Sequence, residues 1–308
     1  MESPFPQAAF TALINISLAW IAGVLTSRLW LAHGKEPWQQ AAGKRLVPAM
    51  SVGLLIAIAG VFLSLWTESA VMGDVPWLDA WPVCKEMLTS THYGHAGVVV
   101  MAILAVAMLM HWRLVNAMTP LRYATVMTVL LMLVAVARVT IGHAFEHGLL
   151  HPAMWIEWLH LVLMSVWVGV VLVAGWLVLP VAAAREPIPT SARALYLHAM
   201  SNWAATSAAG ILVTGICNAF RVLSSPRDLI ATDYGNVLLF KIGLVVVAIV
   251  LGGYNKFFGL TVAVSRASAD TARWGMRTVI AVLRVESIVL LLVLACVAVL
   301  TTSAPPGQ

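Results

Sequence analysis

The sequence predicts an all-α integral membrane protein: a bundle of eight transmembrane helices with both termini on the outer side. Three observations carry this. Of 308 residues, 61% are hydrophobic and only 10% charged, with mean hydropathy +0.92. A soluble domain carries about 25% charged residues, so water cannot be the solvent for most of this surface. Apolar runs long enough to cross a bilayer recur without strand-like alternation. Lipid offers no partner for backbone polar groups, so runs of that length must be helices. Basic residues, finally, gather in alternate connections, the pattern that sets orientation in membranes.

The spans fall at about 8–31, 46–67, 92–113, 122–145, 154–180, 195–220, 236–258 and 278–301. The first follows MESPFPQAAF, which lacks the basic start of a cleaved signal peptide and is expected to remain as a membrane helix. The first, third, fifth and seventh connections carry Lys35, Lys44, Arg45, Arg113, Arg122, Arg185, Arg193, Lys256, Arg266, Arg273 and Arg277. The other connections carry only Lys85, Arg221 and Arg227, so the odd ones are expected inside. The second connection, about 68–91, is expected as the longest outer loop, with Trp77 and Trp81 at the interface. The chain reads as a single polytopic domain, four spans in 1–150 and four in 151–308, with no repeat standing out. The net charge of +5 follows from orientation and does not imply nucleic-acid binding. Cys84, Cys217 and Cys296 cannot build a disulfide framework.

Ionisable residues are sparse, which makes their grouping informative. "RVTIGHAFEHGLLHPAMWIEWLH" (138–160) holds four histidines and two glutamates. His92, His95, His143, His147, His151 and His160 all fall at the outer side, and His33, His111 and His198 at the inner. His95, His143, His160 and Lys241 lie at membrane depth, and Arg138 approaches a similar level. Ionisable groups there are costly and normally face the bundle interior, so they are functional candidates by default. Neutral imidazole binds several metals and can hold haem iron. His147 and His151, in a loop, read as solvated side chains instead. Cys84, Met72, Met87 and Met154 could add soft ligands for Cu(I), but methionine in a membrane bundle is mostly packing. Arg284 and Glu286 sit inside the eighth span, two residues apart and hence on different faces. Glu286 reads either as a structural ion-pair partner or as a proton or metal group. No phosphate-cradling glycine loop, CxxC or HExxH is present, and no enzyme is indicated.

"WIEWLHLVLMSVWVG" (155–169), "VTGICNAF" (213–220), "DYGNVLLFKIGLVVVAIVLGGYNKF" (233–257) and "LRVESIVLLLVLACVAVL" (283–300) resemble the CopD family of bacterial copper-resistance membrane proteins. "LTSTHYGHAGV" (88–98) and "TIGHA" (140–144) resemble its amino-terminal half. The resemblance implies a multi-pass protein of the bacterial inner membrane, and the charge pattern then sets both termini in the periplasm. It implies copper moved from periplasm to cytoplasm, and a periplasmic copper carrier of the CopC type as partner. His95, His143, His160, Tyr234, Lys241 and Glu286 match family positions, and His92 joins the candidate metal ligands. Arg138, Tyr234, Lys241 and Glu286 would line a polar path. One departure is "LYLHAMSNWA" at the sixth span, where the family often shows an arginine–phenylalanine–serine pattern.

The family is also grouped by fold resemblance with dihaem b-type cytochromes. A rival reading therefore has haem b held by His95, His143 and His160 outside, with His111 and His198 holding a second haem inside. A third reading is a non-transporting accessory protein that docks a copper carrier through residues 68–91 and senses or stores the ion.

Overall fold

The computed structural model describes residues 5–32, 34–141, 148–185, 191–222, 228–265 and 268–302. Among these the regular structure is helical throughout. The eight membrane-crossing helices are α1 (Phe5–Leu31), α2 (Pro37–Gly73), α4 (His92–Leu114), α5 (Pro120–Val139), the α6 (Pro152–Val173)–α7 (Leu179–Arg185) pair, α8 (Ser191–Val222), the α10 (Asp233–Tyr254)–α11 (Leu260–Ala263) pair, and α12 (Ala269–Thr302). Two short helices, α3 (Trp81–Ser90) and α9 (Asp228–Ala231), precede α4 and α10. Each pair is one span carrying a π-helical stretch, Ala174–Val178 in the fifth and Asn255–Gly259 in the seventh.

The spans are longer than their apolar runs. α2 begins at Pro37 rather than near 46. Proline suits the first helical turn, and the Gln39 side-chain oxygen accepts the Glu36 N–H at 3.1 Å. At its other end α2 runs on to Gly73 and stops where Asp74 turns left-handed, φ 48°. The connection expected as a loop over 68–91 is therefore mostly helix, and α3 packs back on α2 and α4. Cys84 and Met87 are buried in that packing, and Ser69 Oγ lies 3.6 Å from Met87 Sδ. Trp66 stacks on Trp81 and meets Trp77 edge-on, which fixes the hairpin.

α1 and α6 form the central crossing. A Cβ on Gly23 would run into the Gly169 carbonyl, and one on Gly169 into the Ala19 carbonyl. Small residues allow such close approach, and in lipid that approach is a main source of helix association. Around this axis the neighbour relations of the first four spans recur in the last four. α1 packs on α2 and α6 on α8; α2 on α4 and α8 on α10; α4 on α5 and α10 on α12; α1 on α5 and α6 on α12. The entry to the third span of each half is alike as well. Thr91 caps α4 by accepting the Gly94 N–H at 2.9 Å, and Thr232 caps α10 by accepting the Gly235 N–H at 3.0 Å. Thr-x-Tyr-Gly thus opens both helices, a repeat too short to stand out in sequence.

Candidate functional site

At the end of the second half where α6 and α10 begin, polar side chains from four spans converge. Glu157 and His160 stand one helical turn apart on α6, Thr214, Asn218 and Arg221 on α8, Tyr234 and Lys241 on α10, and Cys296 on α12. Asn218 bridges two charges: its Nδ2 donates to Glu157 Oε2 at 2.7 Å, and its Oδ1 accepts from Arg221 Nη1 at 3.4 Å. Lys241 lies within electrostatic reach of Glu157, His160 and Cys296, and Tyr234 within reach of Glu157. Glu157, His160 and Lys241 are half-buried between packed helices.

The tautomer of His160 follows from its partner. Thr214 Oγ1 has one proton and donates it to the Gly210 carbonyl at 2.8 Å, the usual back-bond of a helical threonine. It therefore accepts from His160 Nδ1, also at 2.8 Å. Nδ1 carries the proton and Nε2 keeps the lone pair. A histidine whose second ring nitrogen donates to a fixed acceptor is oriented as metal-ligating histidines are.

The other candidates are placed differently. His92 and His95 lie in the first turn of α4 and are exposed. Their Nε2 atoms pair with the Thr140 carbonyl at 3.0 Å and the Thr89 carbonyl at 3.1 Å. His143 and His147 lie outside the described residues. Arg138 lines a small pocket of the first half with Ile14, Ser64 and Tyr93. Tyr93 OH accepts from Gln7 Nε2 at 3.1 Å, and Ser64 Oγ is 3.4 Å away. Among the described residues no three of His, Cys, Asp and Glu come together as a group able to hold a metal ion.

Glu286 sits halfway along α12, 2% exposed, and accepts from Trp167 Nε1 at 3.3 Å. It forms no salt bridge among the described residues. Arg284, on a different face, donates to the Gly175 carbonyl at 3.2 Å and lies over Trp176. Both π-helical stretches pack on α12, and Gly252 leaves just enough room for the carboxylate: a Cβ there would stand 3.1 Å from Glu286 Oε1. π-Bulges inside helices recur at functional sites. Sequence reading missed Asn218 and Thr214, whose roles depend on partners 61 and 54 residues away, and the π stretches, for which no residue signal is evident.

At the opposite end, where α4 gives way to α5, His111 is fully engaged. Nε2 donates to the Val47 carbonyl at 3.2 Å, so Nδ1 accepts from Tyr123 OH at 2.7 Å. His198 is exposed on α8, which packs on α6 and α10, whereas α4 packs on α2, α3 and α5. These two histidines do not fit a bis-imidazole haem site.

Residues 194–300, which take in the seventh span and nearly all of the sixth and eighth, match the family model described as Copper resistance protein D. No curated protein and no solved structure matches the chain significantly. The matched segment supplies Thr214, Asn218, Lys241, Cys296 and Glu286, so most of the second-half polar residues fall within it. Over residues 194–300, less than half of its length, the chain is similar to the copper resistance protein D, or CopD, family.

Proposed function

We propose that this multi-pass protein of the bacterial inner membrane carries copper from periplasm to cytoplasm, entering by the cleft between α6, α8, α10 and α12. The observation that carries the reading is His160: an imidazole inside the bundle, oriented through Nδ1 by Thr214, with the Nε2 lone pair left for a cation. Cys296 adds a soft donor across Lys241, and thiolate and imidazole both suit copper. Copper is cargo here. A path should hold it strongly enough to admit it and loosely enough to release it, which agrees with donors supplied singly rather than as a closed site.

The positive charge of Lys241 and Arg221 opposes a bare cation. Glu157 offsets it, being hydrogen-bonded through Asn218 and within reach of both cations. Glu286 continues the path to mid-span. His92, His95 and His143 would receive copper at the outer surface, from a periplasmic carrier of the CopC type. With both termini periplasmic, the connections at 68–91 and around His151 would face that carrier.

The test is copper accumulation in cells, read beside the amount of folded protein, for His95→Ala, His143→Ala, His147→Ala and His160→Ala. His160→Ala is expected to abolish protein-dependent accumulation and His147→Ala to leave it unchanged. Normal accumulation by well-folded His160→Ala protein would remove the cleft from the path.

A further inference from the structure

We propose that a cavity at the basic end of the first half, between α1, α2 and α5, binds a phosphate group through Arg28. The cavity has a volume of about 260 Å³. Its walls include Leu25 and Leu29 of α1, Gln39 and Gly43 of α2, and Tyr123 and Ala124 of α5, with Arg28 among them.

Arg28 is held in place from below. The Val47 carbonyl fixes His111, His111 fixes the Tyr123 hydroxyl, and the guanidinium lies over the Tyr123 ring, 4.7 Å from its centre. Stacking orients the fork but satisfies none of its N–H groups. Arg28 Nη1 is buried without a hydrogen-bond partner, and Arg28 forms no salt bridge among the described residues. A buried guanidinium donor left unpaired is costly. Arg28 lines the cavity, and a planar guanidinium in that place is suited to an oxyanion, best to phosphate or carboxylate taken bidentately, with a small shift of the side chain bringing Nη1 into reach.

Phosphate is favoured because the apolar walls stand beside the cation at a membrane edge. That combination matches a phospholipid headgroup with the start of its chains. Free phosphate entering from the aqueous side would use the same fork. This end also carries Lys44 and Arg45, both exposed, which add to the local positive potential but do not line the cavity.

The experiment uses the full chain in nanodiscs of phosphatidylcholine alone. Inorganic phosphate is titrated against thermal stability, and, separately, phosphatidylglycerol is mixed in and its retention read by native mass spectrometry. Wild type should respond saturably to at least one probe. Arg28→Gln should weaken that response about tenfold or more, the loss expected with a bidentate charged contact. The Lys44→Gln/Arg45→Gln double variant should keep it. A phosphate response alone assigns a free anion, and phosphatidylglycerol retention alone assigns a lipid. Should Arg28→Gln fail to fold, Arg28→Lys replaces it, and several-fold weaker binding is expected because the fork is lost. A wild type indifferent to both probes, or an Arg28 variant with undiminished binding, would overturn the proposal.

Discussion

Glu286 separates two accounts of a charged residue inside a membrane bundle, and a pair of substitutions tells them apart. In the first account the carboxylate belongs to a structural ion pair. Replacing it by glutamine would then strand a cation, at about 3–5 kcal/mol. In the second it belongs to a path, and its described contacts are the Trp167 indole and the close approach of Gly252. Glu286→Gln keeps an acceptor oxygen for Trp167 Nε1 and keeps the side-chain shape. It also removes a group whose charge is worth about 2.5–3.5 kcal/mol against insertion at a helix centre. The variant should therefore lie within about 1 kcal/mol of wild type, or above it. Glu286→Leu loses the acceptor and leaves the Trp167 N–H unpaired among buried neighbours, at about 1–3 kcal/mol. It too removes the carboxyl, so the two terms nearly cancel. Reversible unfolding in mixed micelles reads these differences directly, and copper accumulation is followed in parallel. The expectation is near-wild-type stability with accumulation lost in both variants. Glu286→Gln protein destabilised by 3 kcal/mol or more would establish the ion pair and refute the reasoning; a stable variant with normal accumulation would take Glu286 off the path.

Two further outcomes follow from the packing and the charge pattern. Gly169→Leu should prevent the α1–α6 crossing from closing, because even a Cβ there meets the Ala19 carbonyl. Overpacking costs about 1–3 kcal/mol where side chains can yield, so a backbone obstacle should reach or pass the top of that range, and an unfolding free energy unchanged from wild type would contradict the crossing. For orientation, Asp270→Cys in a background lacking Cys84, Cys217 and Cys296 places a thiol at a position 94% exposed in the last basic connection; an impermeant thiol reagent should label it only after the membrane is opened, and labelling of intact cells would reverse the topology.

The spans were legible because hydropathy acts along the chain and needs no partner. Their ends were less so. α2 starts nine residues before its apolar run, on Pro37 and the Gln39 contact, and residues 68–91 fold as helix because Cys84 and Met87 are buried against α2 and α4. Both depend on neighbours that periodicity does not name. His160 and Lys241 were visible as ionisable residues at depth, and their proximity agrees with that. Which ring nitrogen of His160 keeps its lone pair was not visible, since it is set by Thr214, an ordinary helical threonine until its partner is known. His95 illustrates the reverse. Its position in the first turn of α4 was clear, but only the fold shows it turned outward to the Thr89 carbonyl.

The two halves differ at positions that correspond. Thr91-x-Tyr93-Gly94 and Thr232-x-Tyr234-Gly235 open α4 and α10 in the same way, so positions counted from them correspond. Seven residues past Tyr93 stands Val100, 1% exposed; seven past Tyr234 stands Lys241. On the central helices, Ile14 precedes Gly23 by nine residues and His160 precedes Gly169 by nine. Ile14 and Val100 both line the small pocket beside Arg138 and Tyr93, while His160 and Lys241 lie within electrostatic reach of each other in the second half. The first half thus fills with aliphatic side chains the places where the second keeps an imidazole and an amine. Bundle stability does not require those two groups, since the first half packs the same neighbour relations without them. Ionisable side chains at such depth carry a standing cost, so His160 and Lys241 stand out as functional candidates rather than packing residues.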